Sequence, residues 1–428
     1  MRGAGFDWLR SLHNFESQRN LIPDLDALTR LLYSVGEPQN AFLSIHITGT
    51  NGKTTVASTA THILTVAGVT VGTFTSPDLG DITERIRIND VQVDAERLNE
   101  ELFLLSEIAN AFGITGISYF EALTAAAFSI FALEGVEVAV VEVGMGGSWD
   151  ATNLIDAEVA VITSIDLDHQ KQIGPTITDI AKVKSGIVKE GSVLIMGEIS
   201  EELVEVISQR PRKQSLRLGS EIVISSQHQG VGGWMFDLRT RRGSYDQLFA
   251  SVRGKHQVQN IALAVAAVEE LKEGAISKEI VDVSLATLEL PGRFEVTAMD
   301  AKKVVVLDVA HNESSAQELG KALKEELPVF RGWVVLLALT HDRNAEEFIR
   351  ALGTTEIDLL VSVDLKDDVQ VDPVLVAETA SLLGVKSELL SQLDVGIFEQ
   401  LRRLRDDQLL VVTGSHKIVG KVRNLLKG

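Results

Sequence analysis

The chain has 428 residues, 45% hydrophobic and 23% charged, enough for two or three domains with sizeable cores. Its net charge of −20 excludes a nucleic-acid or acidic-membrane partner, because a phosphate polymer is repelled overall, but leaves room for a locally cationic nucleotide pocket. The absence of cysteine removes disulfides, zinc–thiolate sites and thiol nucleophiles.

Met1–Asn20 carries Asp7 and Glu16 and no apolar run fit for a signal peptide. No stretch reaches the length of a membrane span, so a cytoplasmic location is expected. Short β-branched runs at Phe42–Thr48, Val69–Phe74, Val136–Val143 and Val159–Thr163 read as strands. Helical patterns at Thr54–Ala67, Asp94–Ala111, Tyr119–Leu133 and Ile177–Lys189 alternate with them. Strands that are apolar throughout and separated by helices form a parallel sheet covered on both faces. Between Glu221 and Val252 the pattern turns to Gly-punctuated alternation, including Gly230–Thr240, which predicts antiparallel strands before a helix at Val258–Leu271. After Pro291-Gly292-Arg293 the α/β theme returns, with strands at Val304–Val309, Trp333–Leu339, Asp358–Val363 and Gln408–Thr413. Helices are expected at Ser314–Glu326 and His416–Leu426, and the Pro-Gly break places a domain boundary near residue 290.

Three strand ends carry candidate chemistry. The run Ile45-His46-Ile47-Thr48-Gly49-Thr50-Asn51-Gly52-Lys53-Thr54-Thr55 is a strand, a glycine-bearing turn and a helix start. Such a turn lets N–H groups converge on phosphate oxygens; Lys53 would reach the terminal phosphates and Thr54 could meet Mg²⁺. The common spacing has glycine where Ile47 stands, so the alternative is a chance Gly-Lys-Thr in an ordinary strand–turn–helix. Glu142 ends the next strand before Gly144-Met145-Gly146-Gly147, where a carboxylate faces the ligand crevice and suits a hard cation. For Glu142 taken alone, a buried acid satisfied by hydroxyls is the competing reading. Asp168-His169 ends a third strand and offers a carboxylate and an imidazole to the same crevice. Lys184, by its pattern alone, is a solvated helix lysine.

In order and spacing these residues resemble the Mur ligase superfamily, in its folylpolyglutamate synthase/dihydrofolate synthase branch. The resemblance runs from Gly49-Thr50-Asn51-Gly52-Lys53-Thr54 through Ser76-Pro77, Thr83-Glu84-Arg85, Tyr119-Phe120-Glu121, the glycine turn after Glu142 and Asp150-Ala151-Thr152-Asn153. It continues through Asp168-His169, Lys184-Ser185-Gly186-Ile187, His256-Gln257 with Asn260, Pro291-Gly292-Arg293-Phe294, Asp308-Val309-Ala310-His311-Asn312 and Thr413-Gly414-Ser415. It implies an α/β architecture: a parallel-sheet ATPase domain with a phosphate loop over 1–290, then a smaller Rossmann-like α/β domain over 291–428 that closes over ATP and binds glutamate.

The resemblance further implies that Gly49, Thr50, Asn51, Gly52, Lys53, Thr54 and Thr55 hold the ATP phosphates, with Asn260, Arg293, Asp308 and His311 closing over the nucleotide. Thr54, Ser76, Glu142, His169 and a carbamylated Lys184 would hold Mg²⁺, with a monovalent cation as a further cofactor. Lys53, Lys184, His169 and Glu142 would be catalytic, and Phe120, Glu121, Trp149, Asp150 and Ala151 would contact a pterin. The implied reaction is ATP-dependent ligation of L-glutamate to dihydropteroate or folate through an acyl phosphate, by a monomer. A Mur-type ligase for another carboxylate and a nucleotide-binding chain with weakened turnover are the alternatives. Four positions depart from the pattern: Asp78 stands where histidine is usual, Ser148 for arginine, Val183 for an acid and Glu313 for proline. Asp78 and Ser148 together make the expected pocket less positive.

Overall fold

The computed structural model describes residues 3–13, 24–299, 303–340, 342–367 and 369–427. The first sheet has eight strands: β1 (Leu43–Thr48), β2 (Val71–Phe74), β3 (Ile86–Ile88), β4 (Val91–Gln92), β5 (Val138–Glu142), β6 (Val159–Ile162), β7 (Val193–Met196) and β8 (Gln214–Arg217). Their order is β4-β3-β2-β5-β1-β6-β7-β8, antiparallel at the β4-β3-β2 edge and parallel elsewhere. Along β5, Val138 and Val140 enter one core while Ala139 and Val141 enter the core on the opposite face. That alternation is why the strand reads as uniformly apolar. Helices Lys53–Val66 and Lys255–Leu271 cover the first face, and Ala95–Ala111 and Tyr119–Leu133 the second.

A small antiparallel sheet follows, β9 (Val223–Gly230), β10 (Gly233–Arg239) and β11 (Ser244–Ala250). The second large sheet uses β12 (Glu295–Ala298), β13 (Val304–Leu307), β14 (Gly332–Leu337), β15 (Ile357–Val363), β16 (Ser387–Leu390) and β17 (Gln408–Thr413). Its order is β12-β13-β17-β14-β15-β16, parallel except for β12. The fold is therefore two successive α/β lobes, as expected. None of the described helices is long and apolar enough to cross a membrane.

One local expectation needs correction. The helix expected to run through Lys189 stops at Lys184 and tightens into a 3₁₀ turn, Ser185–Ile187. The Val183 carbonyl, which the helix would have used, accepts instead from the Ser148 N–H at 2.9 Å. Gly186 lies so close to Ser148 that an added Cβ would sit 2.3 Å from the serine Cβ. The antiparallel strands expected between Glu221 and Val252 are present as β9, β10 and β11, with Gly232 at φ +79° in the turn between β9 and β10. Strands β3, β4, β7, β8, β12 and β16 lie outside the expected strand runs.

The lobes touch at several places. Leu79, in the loop after β2, packs into the second lobe's core, and Gly420 in the last helix, His416–Lys427, admits it. A Cβ at Gly420 would come within 1.6 Å of the Leu79 carbonyl oxygen. Trp234 Nε1 donates to Glu326 Oε1 at 3.0 Å, tying β10 to the helix Glu313–Glu326. Alanine in a helix gains about 1 kcal/mol over glycine, whereas overpacking against backbone costs about 1–3 kcal/mol, and more when neither partner can yield. Gly420→Ala is therefore expected to be destabilising on balance, read as a lower urea midpoint; an unchanged or raised midpoint would contradict the packing described.

Candidate active site at the lobe interface

Strand order reverses around β1, and the crevice above its carboxyl end is where open α/β sheets bind ligands. The turn Gly49–Gly52 lies there, ahead of the helix beginning at Lys53. Gly49 adopts φ +154°, and an added Cβ would collide with Thr163 Oγ1 at 1.9 Å. Gly52 adopts φ +86°, with Asn260 Oδ1 in the space a Cβ would need. The Thr50 N–H donates to the Ser164 carbonyl and the Asn51 N–H to Ser164 Oγ, at 2.9 and 3.0 Å. Lys53 Nζ folds over its own turn and donates to the carbonyls of Gly49 and Thr50 at 3.1 and 3.2 Å. Thr55 is buried on the helix behind.

Lys184 Nζ donates to the same Gly49 carbonyl at 2.7 Å, so two lysines share one oxygen. Burial, with Lys53 next, lowers Lys184 to about 7. The sequence pattern suggested a solvated lysine; the residue is in fact buried.

Beneath the turn, Thr54 Oγ1 donates to Glu142 at 3.0 Å and accepts from Arg293 Nη2 at 3.0 Å. Glu142 is buried and also accepts from the Ser76 N–H at 3.4 Å. Burial raises its pKa, against the opposing pull of Lys53 and Arg293. The Thr54 hydroxyl satisfies Glu142, as the reading of a buried acid requires, and the carboxylate lies beneath the Gly49–Gly52 turn. Arg293 answers to Asp308, whose carboxylate accepts the N–H groups of Phe294 and Ala310 at 2.8 Å each. Asp308 thereby fixes the connecting segment in which Phe294 adopts φ +52°.

The His169 ring faces the acids Asp168 and Asp342, standing 3.8 Å from the first and 3.9 Å from the second. Among the described residues no group of three His, Asp or Glu side chains is arranged to hold a metal. Asp168 is ion-paired with Arg343 of the second lobe, and His311 Nε2 lies 4.0 Å from it. Burial acts to raise Asp168, yet His169, Arg343 and His311 together hold it well below the carboxylate range. Burial, then Arg343, lowers His311 to about 4.

The residues expected near a pterin gather at the glycine turn after β5. Gly144 lies against the Phe120 ring and Gly146 against Trp149, so that a Cβ at either would clash at 2.6 or 2.7 Å. Asp150 accepts from the Met145 and Thr152 N–H groups at 2.9 and 3.0 Å, and Ala151 is buried. Glu121 caps its own helix: it accepts from the Ser118 N–H at 2.8 Å and is buried.

Two inter-lobe contacts escaped the sequence reading. Asn51 and Asn312 exchange amide hydrogen bonds at 3.4 and 3.1 Å, and Asn51 also donates to Ser314 Oγ at 2.8 Å. Arg343 lies in the loop after β14, within Asp342-Arg343-Asn344. The departures are accommodated. Asp78 bonds Arg85 Nε at 2.7 Å, Ser148 is exposed, Val183 packs beside a hydrophobic core, and Glu313 starts a helix where an acid is favoured.

A glycine turn and helix start on one parallel sheet, gripped by residues of a second α/β lobe, is the arrangement of a ligase of the Mur type. The Mur ligase middle domain family matches residues 47–268, and the Mur ligase glutamate ligase domain matches 292–416. The dihydrofolate synthase/folylpolyglutamate synthase of Mycobacterium tuberculosis is 36% identical over 77% of this chain and 72% of its own length. That of Bacillus subtilis is 32% identical over 78% and 79%. A structure of Mycobacterium tuberculosis folylpolyglutamate synthase complexed with ADP, 30% identical, superposes with a TM-score of 0.89 over 99% of both chains. The chain belongs to the Mur ligase family, in the branch of the dihydrofolate and folylpolyglutamate synthases.

Removing one member of a buried ion pair costs about 3–5 kcal/mol, because the partner charge is stranded. Asp168→Ala is expected to lose stability on that scale in urea unfolding. A loss under about 1 kcal/mol, the level of an exposed pair, would show that Arg343 finds another partner.

Proposed function

We propose that this chain joins the amino group of L-glutamate to the carboxylate of dihydropteroate, of folate polyglutamates, or of both, at the expense of ATP. The observation that carries the reading is the chain Arg293–Thr54–Glu142 beneath Lys53, built from both sides of the lobe connection. The named activities of the relatives supply the substrates. We place the lobe division near residue 290, between the helix ending at Ala286 and β12, and the enzyme as a monomer acting in the cytoplasm.

A carboxylate is a poor electrophile. Its oxygen attacks the terminal phosphorus, ADP leaves, and an acyl phosphate forms on the acceptor. Lys53 moves from the Gly49 and Thr50 carbonyls to the phosphoryl oxygens, and Arg293 faces the same charge; catalysis here is positioning and electrostatics. The glutamate amine then attacks the activated carbonyl carbon, phosphate departs with the electron pair of the broken C–O bond, and the amine loses a proton. Asn51, Asn312, Ser314 and Arg343 hold the second lobe over the site and keep water from the acyl phosphate. Phe120 and Trp149, on either side of the glycine turn, offer faces to the flat acceptor.

The oxygen donors Thr54 and Glu142, beside a phosphate turn, fit a hard cation, whereas the imidazole of His169 is turned to Asp168. Magnesium bound there would neutralise charge on the phosphates. Lys184, packed on the phosphate turn with its amine largely neutral above about pH 7, is in the state that adds CO₂.

Purified protein with ATP, Mg²⁺ and bicarbonate is expected to ligate glutamate to dihydropteroate or tetrahydrofolate. Lys53→Ala should lower turnover by about 10²–10³-fold with its fold retained, as for loss of one transition-state donor. Ligation of neither acceptor would sink the substrate assignment, and wild-type turnover in the variant would sink the mechanism. With ¹³C-bicarbonate, a carbamate resonance absent from Lys184→Arg is expected to grow in as pH rises through about 7, rather than near 10. Identical spectra from the two proteins would remove the modified lysine.

A further inference from the structure

One buried group at the lobe interface has no place in the mechanism above. His416 opens the last helix, directly after Gly414-Ser415 at the end of β17. Its Nε2 is buried without a hydrogen-bond partner. Its ring stands 5.9 Å from that of His311, tilted by 46°. The groups whose charge reaches it come from both lobes: Arg293, His311, Lys53 and Arg85. A buried ring nitrogen without a partner costs free energy unless a ligand satisfies it.

We propose that His416 is a phosphate-binding residue of the second lobe, donating from Nε2 to the terminal phosphoryl group held between Lys53 and Arg293. The reasoning rests on the nucleotide site proposed above and adds a member to it. An anion between Lys53 and Arg293 lies in the field that also reaches His416, and it supplies the acceptor that this nitrogen lacks. Burial, then Arg293, His311, Lys53 and Arg85, hold His416 well below the usual histidine range, so the imidazole is neutral. It therefore serves as a hydrogen-bond donor and adds no further positive charge to a crowded pocket. Being carried by β17 and its helix, it reaches the phosphate only when the lobes are together. His416 thus distinguishes the triphosphate from the diphosphate by lobe position.

Calorimetry with β,γ-methylene-ATP and with ADP, on the full chain with Mg²⁺, tests this. His416→Leu, which keeps the bulk and removes the donor, is expected to weaken the methylene analogue by about ten- to a hundred-fold, the worth of a hydrogen bond to a charged group, with ADP unchanged. His416→Gln, which retains an N–H at similar reach, is expected to recover most of that loss and guards against misfolding of the leucine variant. Equal weakening of both nucleotides, or of neither, overturns the proposal, as does a glutamine variant that behaves like leucine. Wild-type protein that binds neither nucleotide would overturn the underlying nucleotide site, a separate and distinguishable result.

Discussion

Positive charge confined above the carboxyl end of one sheet is the condition on which the rest of this structure depends. Lys53 and Lys184 share the Gly49 carbonyl, Arg293 stands over Thr54, and Glu142 is the carboxylate set among them. In a low-dielectric crevice such crowding is unfavourable until an anion enters. A chain with a net charge of −20 has acids to spare, yet places most of them elsewhere. The imbalance is therefore local and directional, and it selects a ligand carrying several negative charges. Burial lowers both lysines, and the charge of Lys53 lowers Lys184 further.

The second lobe completes the same electrostatics from above. Asp168 projects from the first lobe and meets Arg343 and His311 from the second. Asp308 serves at a distance, fixing the Phe294 backbone so that Arg293 enters the crevice from the connecting segment. Leu79 and Gly420 make a close apolar seat at one side, and Trp234 with Glu326 a polar one at another. Contacts of such different kinds define one relative placement of the lobes more sharply than a single apolar interface would.

The two α/β lobes were legible because strands buried on both faces leave continuous β-branched runs, and because glycines stand where φ is positive or space is absent. Gly49 and Gly52 are of that kind. The strand-end acids were legible by position. What escaped was set by tertiary contact. Helix Ile177–Lys184 ends where Ser148 captures the Val183 carbonyl, a partner that the local sequence, with only Gly186 as a break, does not reveal. Asn312 looked like part of a motif, and its amide partner 261 residues away was invisible. Asp78, which appeared to make the pocket more acidic, has Arg85 as its counterion. Glu121, expected at the acceptor, is engaged in capping its own helix.

The reciprocal amide pair between Asn51 and Asn312 has a consequence of its own. It joins the turn that would cradle a nucleotide to the residue that caps a helix in the opposite lobe, yet neither partner carries charge. Dissolved ions screen exposed charges strongly, but the buried Asp168–Arg343 pair is screened little and the dipolar amides hardly at all. The register of the two halves is therefore expected to persist as ionic strength rises.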